Sequence, residues 1–90
     1  MSTMPVPVDM FFRDFSDELI ECSIIRDDVT IVTVKGMPNV DGKKEKTVMF
    51  KYGTDIKPGD IVISERGSQI VREIRIDKHN GKPDAVVVLF

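Results

Sequence analysis

The chain offers few residues of the types that catalyse reactions or bind metals. It has one histidine, His79, and one cysteine, Cys22, and they lie far apart in sequence. Zinc and similar metal sites need several such ligands at short spacings. A nucleophilic cysteine or serine would have to use His79 as its base, and no Gly-x-Ser-x-Gly elbow is present. We therefore expect no enzymatic activity and no cofactor, unless the fold gathers Asp27, Asp28 and His79 in one pocket.

The remaining candidates for chemistry have simpler structural explanations. Asp27 and Asp28 are adjacent, and neighbours on a strand point to opposite faces, so a tight turn explains them better than a shared metal ion. Cys22 stands among isoleucines, which favours a buried and unreactive thiol. His79 precedes Asn80-Gly81, a pair typical of an exposed hairpin tip.

Charge is distributed unevenly along the chain. The formal net charge is −2, but residues 1–28 carry seven acidic against two basic side chains. A mixed surface that keeps the protein soluble explains this most simply, whereas a sharper interpretation is attraction between neighbouring copies. A further alternative is a basic hairpin that binds nucleic acid or another polyanion. The lysines of that candidate patch are Lys43, Lys44, Lys46 and Lys51.

Two observations make nucleic-acid binding the second choice. Single-strand binding needs exposed aromatic side chains, whereas Phe50 and Tyr52 are in phase with Val48 on the expected core face. The sequence pI of about 5.3 also differs from that of a dedicated nucleic-acid-binding domain. We expect a protein partner, which includes a second copy of this chain.

Glycine-containing turns separate short apolar runs and predict an antiparallel β protein. Glycine and asparagine reach positive φ at low cost, so pairs such as Asp41-Gly42 and Asn80-Gly81 mark chain reversals. Five or six strands with such turns predict a small barrel or sandwich of SH3-like or OB-like size. Closure of a barrel would remove exposed edges. We expect residues 17–90 to form this single domain, preceded by an arm or short helix over residues 1–16.

The first part of the chain allows two interpretations. Phe11, Phe12, Phe15, Leu19 and Cys22 are spaced like one face of a helix. Alternating residues from 20 to 24 instead favour a strand. We expect an extended arm over residues 1–8, a short helical turn over 9–16 capped by Asp9, and a strand from 18 to 26.

Later segments give firmer expectations. Residues 29–35 are mostly β-branched and predict a central strand covered on both faces, followed by a polar loop over 37–44. Residues 47–52 form the next strand, with Val48, Phe50 and Tyr52 inward. The loop over 55–60 contains a type II turn at Pro58-Gly59. Residues 61–63 form a short strand in which Ile61 and Ile63 share one face, and residues 70–76 and 85–90 are the last two strands.

Two apolar segments are candidates for contacts between subunits. Phe11, Phe12 and Phe15 either plug one end of the barrel or meet a neighbour. The closing strand is apolar on both faces, so it lies in the middle of the sheet or pairs with another subunit. Its candidate contact residues are Val86, Val88 and Phe90. At 90 residues the core is thin, which makes self-association plausible.

Nothing in the sequence indicates export or membrane insertion. The first eight residues lack a basic region followed by a long apolar one, and no run approaches the roughly 18 apolar residues of a membrane span. We expect a soluble protein of the cytoplasm with no membrane partner.

Residues 50–74 resemble a pattern found in small β proteins of tailed phages and prophages. The matching residues are Phe50–Ser64, with its Asp-Ile-Lys-Pro-Gly-Asp turn, then Gly67 and Ile70–Ile74. Head–tail connector and minor tail components are the members it resembles. The resemblance implies a structural component that works by oligomerising, and it would place the protein in a virion.

Overall fold

A computed structural model describes residues 7–40 and 46–90, excluding the side chains of Asn39 and Val40. One short helix precedes seven strands, which confirms a small all-β fold with an N-terminal helix. The elements are α1 (Val8–Asp14), a 3-10 turn (Ser16–Glu18), β1 (Ile20–Arg26), β2 (Val29–Val40), β3 (Lys46–Lys51), β4 (Ile61–Ser64), β5 (Gly67–Ile70), β6 (Glu73–His79) and β7 (Lys82–Leu89).

All seven strands belong to one antiparallel sheet in the order β5-β4-β1-β2-β3-β7-β6. Within the described residues, β5 and β6 are therefore its two edges. Val71 and Arg72 alone connect them in the chain, and three residue steps span at most about 11 Å. The sheet must curl until its edges approach each other at one end. The expected closed barrel is thus a curled, half-open one, with seven strands instead of five or six.

A sharp change of partner in β2 produces much of this curl. The strand pairs with β1 from Val29 to Gly36 and with β3 from Met37 to Val40. A Cβ atom on Gly36 would lie 2.5 Å from Val48 Cγ1 and 2.7 Å from Phe50 Cε1. Glycine is therefore required where the two halves of the sheet fold over the core.

The sheet buries apolar side chains on both of its faces. The inner face holds the main core, which consists of Ile20, Cys22, Ile24, Val48, Phe50, Ile56, Val62, Val71, Val86 and Val88. On the outer face α1 lays Val8 and Phe12 over Met37 and Ala85. The Asp84 carboxylate accepts a hydrogen bond from the backbone N–H of Val8, which fixes the first turn of the helix.

Three of the predicted turns are confirmed, whereas the turn expected at Asp41-Gly42 lies outside the described residues. Asp27 and Asp28 have φ of 53° and 63° between β1 and β2, and Asn80 and Gly81 have 53° and 78° between β6 and β7. Positive φ at both central residues is the geometry of a type I′ hairpin turn. Gly59 has φ of 94°, and Asp60 N donates to Lys57 O at 3.1 Å, as a type II turn at Pro58-Gly59 requires.

Several expected boundaries were wrong. Pro7 precedes the helix, and Asp9 lies in its first turn instead of capping it. The strand β2 continues to Val40, so the loop expected over 37–44 does not begin at 37. The strand expected over 70–76 is two strands, because the chain turns at Val71 from one edge to the other. Of the arm expected over residues 1–8, residues 1–6 lie outside the described part of the chain.

Two expectations about burial were also wrong. The strand β2 is central in the sheet, but Val29 is 60% exposed and the next apolar residues are half-buried. Val29 directly follows the turn at Asp27-Asp28 and pairs with Arg26 at the end of the β1–β2 hairpin. Tyr52, expected on the core face with Val48 and Phe50, is 56% exposed because β3 ends at Lys51.

Candidate interaction surface

The residues able to do chemistry remain apart in the structure. Cys22 is fully buried, and its burial, reinforced by the nearby Glu21 carboxylate, raises the thiol pKa to about 11. Such a thiol is almost entirely protonated at neutral pH and so a poor nucleophile. Asp27 lines a groove with Arg26 and the turn from Lys57 to Asp60, whereas His79 ends β6, an edge strand four places from β1 in the sheet.

A cluster of hydrogen-bonded charged side chains holds the loop between β3 and β4 to the sheet. Arg26, at the end of β1, donates to both carboxylate oxygens of Asp60, from Nε at 2.9 Å and from Nη2 at 2.7 Å. Its Nη2 also contacts Asp55 Oδ1 at 3.1 Å. The Asp60 carboxylate accepts a further bond from Lys57 N at 2.9 Å. Since these bonds occupy both carboxylate oxygens of Asp60, the role of the cluster is structural.

The pKa values of this cluster follow from the same contacts. The hydrogen bonds from Arg26 lower the pKa of Asp60, although its burial opposes that shift. The two aspartates raise the pKa of Arg26 further above its already high ordinary value. Both groups are therefore charged at neutral pH.

The two described lysines of the candidate basic patch, Lys46 and Lys51, have different surroundings. Lys43 and Lys44 lie outside the described residues. Lys46 is exposed at the start of β3. Lys51 turns towards α1, where its Nζ lies 3.0 Å from Asp9 Oδ1 and 5.8 Å from the centre of the Phe12 ring. The described half of the patch thus does not form a common basic face.

The three aromatic residues of the N-terminal segment have different roles. Phe12 is buried against the outer face of the sheet, and Phe11 is half-buried beside it. Phe15 is 44% exposed, with its ring centre 4.8 Å from that of Phe11. Phe12 is therefore a packing residue in this chain, while Phe15 remains available to a partner.

The candidate contacts in the last strand are mostly internal. β7 lies between β3 and β6, so the mid-sheet alternative describes it. Val86 and Val88 are 4% and 0% exposed and belong to the main core. Phe90 is half-buried, and its N–H donates to Lys46 O at 3.3 Å. An interface through Val86 and Val88 would require the core to open.

A different apolar surface lies on the outer face of β5, β4 and β1. Ile70 pairs with Ile61, which pairs in turn with Ile25, so these three side chains form one row. Ile63 points the same way, while Val62 between them faces inward and is 3% exposed. Ile70 is 65% and Ile63 43% exposed. We name Ile25, Ile61, Ile63 and Ile70 the isoleucine face.

Sequence patterns missed this surface for a physical reason. Strand β4 reads Ile-Val-Ile, which is apolar on both faces and gives no indication of which one is inward. The spacing did place Ile61 and Ile63 on one side. Their outward orientation depends on long-range pairing with β1.

The two edges of the sheet differ in composition. β6 carries Glu73, Arg75, Asp77 and Lys78, and charged side chains are a common protection of an edge against other strands. β5 reads Gly-Ser-Gln-Ile and contains neither a charge nor a proline. The isoleucine face thus ends at the less protected edge.

No family model, curated protein or solved structure matches this chain. In residues 7–40 and 46–90 no helix is long and apolar enough to cross a membrane. The same residues contain no group of three histidine, cysteine, aspartate or glutamate side chains placed to hold a metal ion.

Proposed function

We propose that this chain is a structural interaction module that assembles with copies of itself through β5 and the isoleucine face. The observation that carries the proposal is Ile70, which is 65% exposed on an uncharged edge strand and pairs with Ile61. An exposed isoleucine on an uncharged edge strand, continued by apolar side chains on the next strands, is a recognised cause of association between sheets.

A second copy suits this edge for geometric reasons. Two β5 strands related by a two-fold axis run antiparallel, so each can supply the same groups to the other. A register that places the two-fold axis beside Ile70 brings the two Ile70 side chains within the roughly 5–8 Å of cross-strand and diagonal neighbours. Because β5 has four residues, backbone pairing contributes few hydrogen bonds. Apolar contact must therefore supply most of the affinity.

The resemblance of residues 50–74 to tailed-phage structural proteins supports the same class of function. It includes β4 and β5, the strands that carry Ile61, Ile63 and Ile70. Under this proposal the assembly would be part of a virion. The basic patch gives less support to nucleic-acid binding, since Lys51 is engaged by Asp9 and Phe12.

Sedimentation velocity tests the proposal. The average mass of the wild-type protein should rise above that of a monomer between micromolar and millimolar concentrations. Ile70→Lys places two like charges beside the two-fold axis and should lower the average mass at every concentration. The matched control is Tyr52→Lys, an exposed apolar residue outside the isoleucine face, which should leave the mass unchanged.

Two results would overturn the proposal. One is a wild-type protein that stays monomeric over the whole range. The other is an Ile70→Lys variant that associates as the wild type does while its circular dichroism shows the same fold.

A further inference from the structure

Two grooves of opposite charge lie side by side near α1. The first has a volume of about 440 Å³ and a floor that includes Phe12, Leu19 and Val34. Its charged lining residues are Arg13, Lys35, Lys51 and Asp9. We name it the basic groove.

The second groove, of about 400 Å³, is lined by Asp17, Glu18 and Glu65, together with Arg66. We name it the acidic groove. Leu19 lines both, so the two grooves are neighbours separated by an apolar side chain.

The charges that face these grooves are incompletely matched within the chain. Lys51 is paired with Asp9 at 3.0 Å. Arg13 Nε lies 3.9 Å from Asp14 Oδ1, and both side chains are more than half exposed, so that contact is weak. Lys35 stands opposite Glu21 in the β1–β2 ladder. Among the described residues, Arg13 on one side and Asp17 and Glu18 on the other are the groove charges least matched within the chain.

We propose that this surface is self-complementary and forms a second contact between copies of the chain. A two-fold axis near Leu19 would set the acidic groove of each copy against the basic groove of the other. Phe15, 44% exposed and between Arg13 and Asp17 in sequence, supplies apolar area to the contact. This inference rests on the proposed function for its choice of partner, but it concerns a different surface.

The two contacts use different residues, although the acidic groove reaches the β4–β5 turn through Glu65 and Arg66. Ile70 lies at the opposite end of β5, because Gly67 pairs with Ser64 and Ile70 with Ile61. Three residue steps, or roughly 10 Å, therefore separate Ile70 from the end of β5 nearest the acidic groove. A chain with two different two-fold contacts binds two neighbours, so it builds a closed ring or an extended filament instead of stopping at a dimer.

The experiment uses the Ile70→Lys background, in which the β5 contact is disabled. Sedimentation equilibrium should find a dimer whose dissociation constant rises with added salt, because salt screens exposed charges. Arg13→Glu in that background should weaken the dimer by about tenfold, as should Glu18→Arg. The combination of both restores opposite signs across the axis and should return the affinity close to that of the background.

Lys82→Glu, an equal charge change in the β6–β7 hairpin, is the control and should have no such effect. A background protein that is monomeric throughout would overturn this inference while leaving the proposed function intact if the wild type still associates. Failure of the double variant to recover affinity would also overturn it. Should Arg13→Glu disturb the helix, Lys35→Gln tests the same groove from β2.

Discussion

Asp60 connects the β3–β4 loop to two other parts of the chain. Its side chain is 5% exposed and bonded twice by Arg26, and its backbone carbonyl accepts a bond from Val71 N at 2.8 Å. The position therefore joins the end of β1 to the loop and to the crossing between the sheet edges. A charge-assisted pair of this kind has a direct consequence for stability at low pH.

Asp60 should make the free energy of unfolding depend on pH in the acid range. Arg26 lowers the folded-state pKa of Asp60 below its ordinary value of 3.8. The stabilisation is complete above the unfolded-state pKa and is lost as pH falls through the folded-state pKa. Asp60→Asn should cost roughly 1 to 2 kcal/mol at neutral pH and flatten the pH dependence below about pH 4, as urea unfolding would measure.

Asp55→Asn is the matched control, because Asp55 makes one contact with Arg26 and its side chain is 62% exposed. Its loss of stability should be much smaller, since exposed ion pairs contribute little. The free energy of unfolding of Asp60→Asn could instead fall with decreasing pH as steeply as that of the wild type. That result would show that protonation of Asp60 is not coupled to folding.

Local chemistry explains which turns could be predicted from sequence. Asp27, Asp28, Asn80 and Gly81 tolerate the positive φ that they adopt, and this preference depends on the residue itself. Arg26 and Asp60 gave no such signal. They are 34 positions apart and meet only when β1 pairs with β4.

Among the secondary-structure elements, β2 has the largest effect on the curvature of the sheet. It is twelve residues long and changes partner from β1 to β3 at Gly36. The β-branched run that begins it predicted a strand, but nothing in that run marks where the strand bends. The bend depends on Val48 and Phe50, which close over the glycine from β3.

Gly36→Ala should lower the free energy of unfolding by roughly 1 to 3 kcal/mol, because the added methyl group would overlap Val48 and Phe50. Chemical denaturation provides the measurement. Combining it with Val48→Ala makes room for the methyl group, so the double variant should lose less than the sum of the two single losses.

Gly53→Ala separates this steric effect from backbone strain. Gly53 has φ of 94°, and a Cβ atom added there would meet no other atom within 4 Å. Gly53→Ala should therefore lower the free energy of unfolding by about 1 kcal/mol through backbone strain alone, additively with Val48→Ala. Strictly additive losses for Gly36→Ala and Val48→Ala would mean that the sheet relaxes around the new methyl group.

In the whole molecule, the two edges of the sheet differ in how well their side chains protect them against association. The shared spacing of Ile70, Ile74 and Ile76 predicted one strand over residues 70–76. The structure instead places Ile70 at the end of β5 and residues 73–76 in β6, at the other edge of the sheet. Sequence patterning predicted a small β-barrel because the turns and strands are local. The incomplete closure and the outward isoleucine face depend on strand order, which pairs β4 with β1 instead of β3.

The thermal midpoint Tm should therefore depend on protein concentration. Association stabilises the native chain by mass action, so Tm should rise by roughly 3 °C for each tenfold increase in concentration once assembly dominates. Differential scanning calorimetry of the wild type and of Tyr52→Lys should give this slope. Ile70→Lys combined with Arg13→Glu disables the β5 contact and weakens the groove contact by about tenfold, so it should reduce this slope strongly. A wild-type Tm that is independent of concentration would mean that the exposed isoleucines do not hold copies together.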